Sequence, residues 1–265
     1  MTIVVVPYHQ ADLLPDGQIP LTLTGGFLVT RPDLPDGDVW TRMAGLHDAV
    51  ADQVAAAVRT GGPTTVLSGD CLVAMAVLAG VQRAGTHPGM VWLDAHGDLH
   101  TLDTTTSGYL GGLSLRLVLG AHPERLAEPL RMQPVPEDRA VLVDARDLDP
   151  AEADYLASAR VRRGTVAGLD PADLPDGPLI LHVDLDVIDP GELPGLLFPA
   201  PGGPAAADVV TAVHRVLATG RVVVLDIACP WHPTDETRVQ QARTDLLRAL
   251  VSGQPDPGQP ALKNR

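Results

Sequence analysis

The chain has 265 residues, of which 45% are hydrophobic and only 3% aromatic, so its core must be built mainly from Val, Leu and Ala. A formal net charge of −14 argues against nucleic acid or an anionic membrane as the main partner, and no apolar run approaches the length of a membrane span. Two cysteines far apart, Cys71 and Cys229, do not make a secreted disulfide framework, and Met1 to Gln10 carries no basic residue ahead of its apolar run, so a soluble cytoplasmic protein without a signal peptide is expected.

In chain order, Ile3 to Val6 reads as a buried strand, and residues 11–40, rich in Pro, Gly and Asp, read as loop with at most one short element. Leu46, Val50, Val54 and Val58 recur at helical spacing within 44–59, and Gly61-Gly62-Pro63 stops that helix. A β-branched strand over 64–67 leads through Ser68-Gly69-Asp70-Cys71 into an apolar helix over 72–82, and a strand over 91–94 follows. After a polar loop at 101–112 come a helix over 113–119, a strand over 140–143 and a helix over 149–157 with Pro150 in its first turn. A strand over 179–183, a helix over 205–218, a strand over 221–225 and a helix over 236–251 complete the pattern, and the Pro-, Gly- and Gln-rich segment 253–265 is expected to be disordered. Alternating strands and helices predict an α/β fold, with a mainly parallel sheet in one doubly wound domain over 1–252.

Two strands carry the chemistry. Val91-Trp92-Leu93 runs into Asp94-Ala95-His96-Gly97-Asp98, and Leu179-Ile180-Leu181-His182-Val183 runs into Asp184-Leu185-Asp186. Alternate residues of a strand share a side, so Asp94 pairs with His96 and Asp184 with Asp186. Hard oxygen donors beside imidazole at the end of a buried strand suit a divalent metal such as Mn²⁺. Two adjacent strand ends could hold two ions roughly 3.5–4 Å apart, with a water between them activated as a nucleophile.

These two motifs, 90 positions apart from Asp94 to Asp184, resemble the metal-binding signatures of the ureohydrolases, the arginase and agmatinase family. The resemblance spans about Val66 to Thr237. It implies a three-layer α/β/α arginase-like fold, two divalent ions (Mn²⁺ first among candidates) and hydrolysis of a guanidino group to urea or a close analogue. It further implies that Asp94 and Asp184 bridge the ions, that Asp98 binds the first, and that His96 and Asp186 bind the second. Thr105 and Ser107, within Thr105-Thr106-Ser107-Gly108, match the family's contacts to a substrate α-carboxylate, and Asp149, within Arg146-Asp147-Leu148-Asp149-Pro150, matches its contact to the α-amino group. His100 falls where the arginase loop makes a polar substrate contact. The resemblance also implies assembly into a homo-oligomer.

Three positions depart from the arginase pattern. Cys71 stands where the first ion normally has a histidine; a thiolate there is a softer ligand. Gly111 replaces a histidine thought to shuttle protons, and Cys229 falls where a glutamate normally pairs with the guanidinium, which would weaken selection for arginine. The Cys71 substitution and the run Gly108-Tyr109-Leu110-Gly111-Gly112 resemble the relatives that hydrolyse Nω-hydroxy-L-arginine. A hydroxyguanidine is less basic and would need the missing glutamate less. The expected substrate is therefore an arginine-like amino acid, with Nω-hydroxy-L-arginine and L-arginine first. Asp98 could hold the attacking water, and His232 could stand in as proton carrier.

Cys71 and Cys229 are expected to face one pocket. His182, assigned to the strand face opposite Asp184, is read as a packed core histidine. Two other readings stay open: a degenerate relative serving as a binding or regulatory protein, and an amide hydrolase of the related deacetylase fold with a single zinc.

Overall fold

The computed structural model describes residues 1–20 and 27–253. Among them, strands β1 (Thr2–Val6), β4 (Phe27–Val29), β5 (Thr64–Ser68), β6 (Gly89–Leu93), β7 (Ala140–Val143), β8 (Arg162–Gly164), β9 (Leu179–Asp184) and β10 (Val222–Ala228) form one sheet in the order β4-β1-β5-β10-β9-β6-β7-β8. Every neighbouring pair is parallel. β2 (Tyr8–His9) and β3 (Asp12–Leu13) make a separate antiparallel hairpin. The helices are α1 (Val39–Arg59), α2 (Val73–Arg83), α3 (Ser114–Val118), α4 (Ala127–Leu130), α5 (Pro150–Leu156), α6 (Ala206–Leu217) and α7 (Thr237–Ser252).

The three-layer expectation holds, because the central strands are apolar on both faces. In β1, Val4 and Val6 join one core layer with Met43, Leu46 and Val50 of α1 and Met75 and Leu78 of α2. Ile3 and Val5 join the other with Val209 and Val213 of α6 and Leu247 and Leu250 of α7. Each fully buried Leu or Val contributes on the order of 1.5–3 kcal/mol.

Three differences from the sequence reading concern local signals. α1 begins at Val39 rather than at residue 44, because Asp38 caps it by accepting a hydrogen bond from the Thr41 backbone N–H at 2.8 Å. β10 runs on to Ala228, so the sheet extends toward Cys229. The edge strands β4 and β8 have no counterpart among the expected elements, since three exposed residues carry no burial pattern. The expectation for the tail falls, beyond Gly253, outside the described residues. Among the described residues no helix is long and apolar enough to cross a membrane.

Strand order decides where chemistry can gather. β5, β10, β9 and β6 are consecutive neighbours in the middle of the sheet, and their C-terminal ends lead into Cys71, Cys229, Asp184 and Asp94, respectively. In open parallel sheets the crevice beyond the carboxyl ends of the strands is the usual ligand site.

Candidate metal centre and substrate pocket

Asp94, Asp98, Asp184 and Asp186 are all buried at this edge, none more than 7% exposed. Their ligand atoms fall into two groups. The first is Cys71, Asp94 and Asp98; the second is Asp94, His96 and Asp186; within each, the donor atoms lie within 4.8 Å of one another. Asp94 belongs to both groups. Asp184 lies against them, its Oδ2 accepting from the Cys71 thiol at 2.7 Å and its Oδ1 from the Asp186 backbone N–H at 2.8 Å.

Local geometry explains how so many acids are held together. Asp94 Oδ1 accepts the His96 backbone N–H at 2.7 Å, and its Oδ2 accepts the Trp92 indole N–H at 3.0 Å. The His96 ring nitrogen Nδ1 lies 3.2 Å from Asp186 Oδ2 and 3.4 Å from Asp94 Oδ1. Asp98 adopts φ +52°, an uncommon conformation for a residue with a side chain. Its carbonyl accepts the Arg116 N–H at 2.9 Å. Glu152 of α5 braces the same loop: its carboxylate accepts the Leu99 N–H at 2.9 Å and the Asp149 N–H at 3.0 Å. A Cβ on Gly97 would come within 2.6 Å of Glu152 Oε1, so only glycine lets the loop lie that close. Arg146 ties down the segment after Asp186, donating to the carbonyls of Val187 at 3.1 Å and Ala200 at 2.7 Å.

The electrostatics are those of a site short of positive charge. Burial, reinforced by the charge of Asp94, pushes the Asp98 carboxyl well above the usual range. Burial and the charges of Asp186 and Asp94 do the same to Asp184. Burial and Asp94 raise Asp186 to about 6. For Asp94 burial pulls upward, but the hydrogen bonds and charge of His96 outweigh it and its pKa is lowered. Burial opposes a charge on His96, yet Asp186 and Asp94 outweigh it and push its pKa up to about 12. The Cys71 thiol is pushed up by burial and then by Asp184. Asp98 Oδ2 is buried with no hydrogen-bond partner among the described residues. Carboxylates, an imidazole and a thiol converging with an orphaned oxygen among them fit divalent cations, whose charge would offset the crowding.

Above this floor opens a cavity of about 210 Å³. The expected residues Cys71, His96, Asp98, Asp184 and Asp186 line its floor, and His100, Ser107 and Asp149 its rim. His100 Nε2 lies 2.9 Å from Asp149 Oδ2, which joins two of those rim residues from separate loops. Asp94 sits just beneath, buried among the floor residues.

Three expected residues are not brought to the cavity. Thr105 Oγ1 is turned back to accept the Gly108 N–H at 3.1 Å, as in an ordinary turn. His232 is exposed and does not line the cavity, its backbone tied to Gly195 and Arg243. Cys229 corrects the expectation of a shared pocket. It packs in the layer of Ile227 and Leu225, whereas Cys71 belongs to the opposite layer. The reason is strand parity: Cys229 continues the face of Ile227, one step out of phase with Ala228. His182 corrects the other assignment. It lies two residues from Asp184, so it shares that face, and its Nε2 lies 3.3 Å from Cys71 Sγ.

Residues that the sequence reading did not select also line the cavity: Asp70, Tyr109, Asp147, Glu152 and Phe198. The spacing Asp149-x-x-Glu152 was a legible capping signal; Phe198 arrives from a long loop that carried none. Tyr109 stacks on His9 with ring centroids 5.7 Å apart and leans on Phe198 at 4.7 Å, giving the cavity an aromatic wall. A Cβ on Gly111 would overlap the Tyr109 ring. The volume that a longer side chain at position 111 would use is thus filled by tyrosine.

Comparison with known proteins agrees with this geometry. Residues 9–251 match the model of the arginase family. The chain is 31% identical over 204 residues to an N(omega)-hydroxy-L-arginine amidinohydrolase from Streptomyces lavendulae, covering 75% of this chain and 72% of that protein. It is 30% identical over 198 residues to an arginase from Eremothecium gossypii, covering 69% of this chain and 49% of that protein. The match to the Eremothecium gossypii arginase therefore spans about half of that protein's length. Among solved structures, an Entamoeba histolytica arginase bound to L-ornithine superposes with a TM-score of 0.79 at 19% identity, over 94% of this chain and 97% of the other. A likeness at that identity concerns the fold.

Proposed function

We propose, from the premise that this chain belongs to the arginase family, that it hydrolyses the amidino group of a small arginine-like amino acid. The observation that carries the reading is the pair of ligand groups sharing Asp94 on the floor of the cavity. Cys71, Asp94, Asp98 and Asp184 would hold one divalent ion, and Asp94, His96, Asp184 and Asp186 a second. The predominance of carboxylate oxygen favours Mn²⁺, and the Cys71 sulfur moves the preference toward softer ions. When bound, such ions lower the pKa of a coordinated water toward neutrality and act as Lewis acids.

The chain's own residues supply the rest. Asp98, with its free Oδ2 at the floor, holds the attacking water and takes its proton. The water oxygen bonds to the amidino carbon, the bond from that carbon to the side-chain nitrogen breaks, and the proton passes to the departing nitrogen. The products are urea, or hydroxyurea from a hydroxyguanidine, and the amine of the shortened amino acid. His100, Ser107 and Asp149 at the rim recognise the α-amino and α-carboxylate groups. Residues 1–252 act as one catalytic domain.

Nω-hydroxy-L-arginine is favoured over L-arginine. Position 229 offers no carboxylate to a guanidinium and packs away from the cavity. The Streptomyces relative named for that substrate supports the same choice. The test is elemental analysis of protein purified with added Mn²⁺, paired with assays of urea and hydroxyurea release from both substrates. Two ions per chain with faster hydroxyurea release is the expected result. Retained metal with no turnover of either compound would discard the substrate, and no retained metal would discard the centre.

A further inference from the structure

Beneath Cys71 lies a buried polar pair that the proposed reaction does not use. Trp92, His182 and Asp226 are register partners across β6, β9 and β10, and all three are 0% exposed. His182 Nδ1 lies 2.7 Å from Asp226 Oδ2, and His182 Nε2 lies 3.3 Å from Cys71 Sγ. The imidazole is stacked on the Trp92 ring with centroids 3.7 Å apart and an interplanar angle of 23°. We propose that Asp226 and His182 are positioning residues that fix the Cys71 sulfur in the rotamer facing the metal centre, an inference that rests on the reading of that centre given above.

A cysteine side chain has three staggered choices for its sulfur. Here the sulfur is bracketed by His182 Nε2 on one side and Asp184 Oδ2, at 2.7 Å, on the other. The imidazole in turn cannot rotate, since Asp226 holds one nitrogen and Trp92 covers its face. A pair serving only to fill space would be better made from apolar residues. Burying Asp226 is costly, and its Oδ1 has no hydrogen-bond partner among the described residues. That cost is offset if the pair holds a ligand in place, as carboxylates behind metal-binding side chains commonly do. Trp92 serves both bridging and terminal ligands: it stacks on His182 and donates to Asp94.

The test loads the protein with Cd²⁺ and reads the sulfur-to-cadmium charge-transfer absorption, which reports the Cys71 bond independently of turnover. His182→Ala and the near-isosteric Asp226→Asn are both expected to weaken that band and to lower Cd²⁺ affinity by about 10–100-fold. His182→Gln, which can still present a nitrogen toward the sulfur, is expected to recover part of it. In a Cys71→Ala background neither substitution should cost further affinity, because the group they act through is gone. Should His182→Ala fail to fold, Asp226→Asn alone decides. Losses that persist undiminished in the Cys71→Ala background would overturn the inference, as would an unchanged band in Asp226→Asn. A wild-type protein that binds Cd²⁺ without a sulfur–cadmium band would overturn the inference alone, and one that binds no Cd²⁺ would overturn the metal centre as well, which keeps the two failures distinct.

Discussion

The ring of Tyr109 lies over Gly111, in the space that any side chain at position 111 would need. Both belong to the loop that closes one side of the cavity, and the tyrosine is held there by His9 and Phe198. Burial pushes the Tyr109 hydroxyl well above its usual pKa, with Asp70 adding to the effect, so at neutral pH it is a hydrogen-bond donor. Restoring a histidine by Gly111→His should therefore destabilise the protein by about 1–3 kcal/mol, the usual cost of overpacking. Combining it with Tyr109→Ala should recover most of the loss. Urea denaturation of the three variants measures this, and full additivity of the two substitutions would contradict the overlap.

Glu152 should matter more than its position in a helix suggests. Its two oxygens hold backbone N–H groups of Leu99 and Asp149, and so the loop that carries Asp98. Glu152→Ala leaves two donors to find other partners, a cost of about 1–3 kcal/mol each if they stay buried. The expected outcome is reduced stability together with weaker metal retention, whereas Glu152→Gln, which can accept at one oxygen, should be milder. Equal metal retention in all three proteins, measured by elemental analysis after dialysis, would show that the brace does not reach the site.

Crowded carboxylates trade stability for ion binding. Burial and the neighbouring charges of Asp186 and Asp94 push Asp184 well up, which means that its ionised form burdens the ion-free fold at neutral pH. Asp184→Asn should raise the melting temperature of chelator-treated protein. It should also abolish the gain that Mn²⁺ gives the wild type, about 2.7 kcal/mol per site at a hundredfold excess over Kd. Calorimetry with and without EDTA distinguishes these effects. A variant still stabilised by Mn²⁺ to the wild-type extent would remove Asp184 from the ligand set.

His47 of α1 provides a pH effect far from the cavity. It is fully buried, neither ring nitrogen has a hydrogen-bond partner among the described residues, and burial lowers its pKa from 6.5 to about 4. The folded state thus resists a proton that the unfolded chain accepts. As pH falls from 6.5 toward 4 the unfolded state binds more protons, and stability is lost by about 3 kcal/mol in all. His47→Leu should flatten that part of the profile. Parallel unfolding curves at pH 7.5 and pH 4.5 for the two proteins test it; an identical acid loss in the variant would refute the assignment.

What the sequence by itself determined were the features written over a few consecutive residues. Alternation of apolar strands and helices set the parallel sheet, because a βαβ unit declares itself locally. Asp94-x-His96 and Asp184-x-Asp186 could be placed on shared faces, because side chains alternate along a strand. The same parity places His182 with Asp184 and Cys229 away from Ala228. What only the tertiary structure decided was which strand ends become neighbours. The order β5-β10-β9-β6 brings Cys71, Asp226, His182 and Trp92 into one buried line, although His182 and Cys71 are 111 positions apart. Tertiary packing also sets Phe198 against Tyr109 in one wall of the cavity, each arriving from a different loop. Such contacts follow from non-local strand pairing and loop packing, and no short window of sequence encodes them.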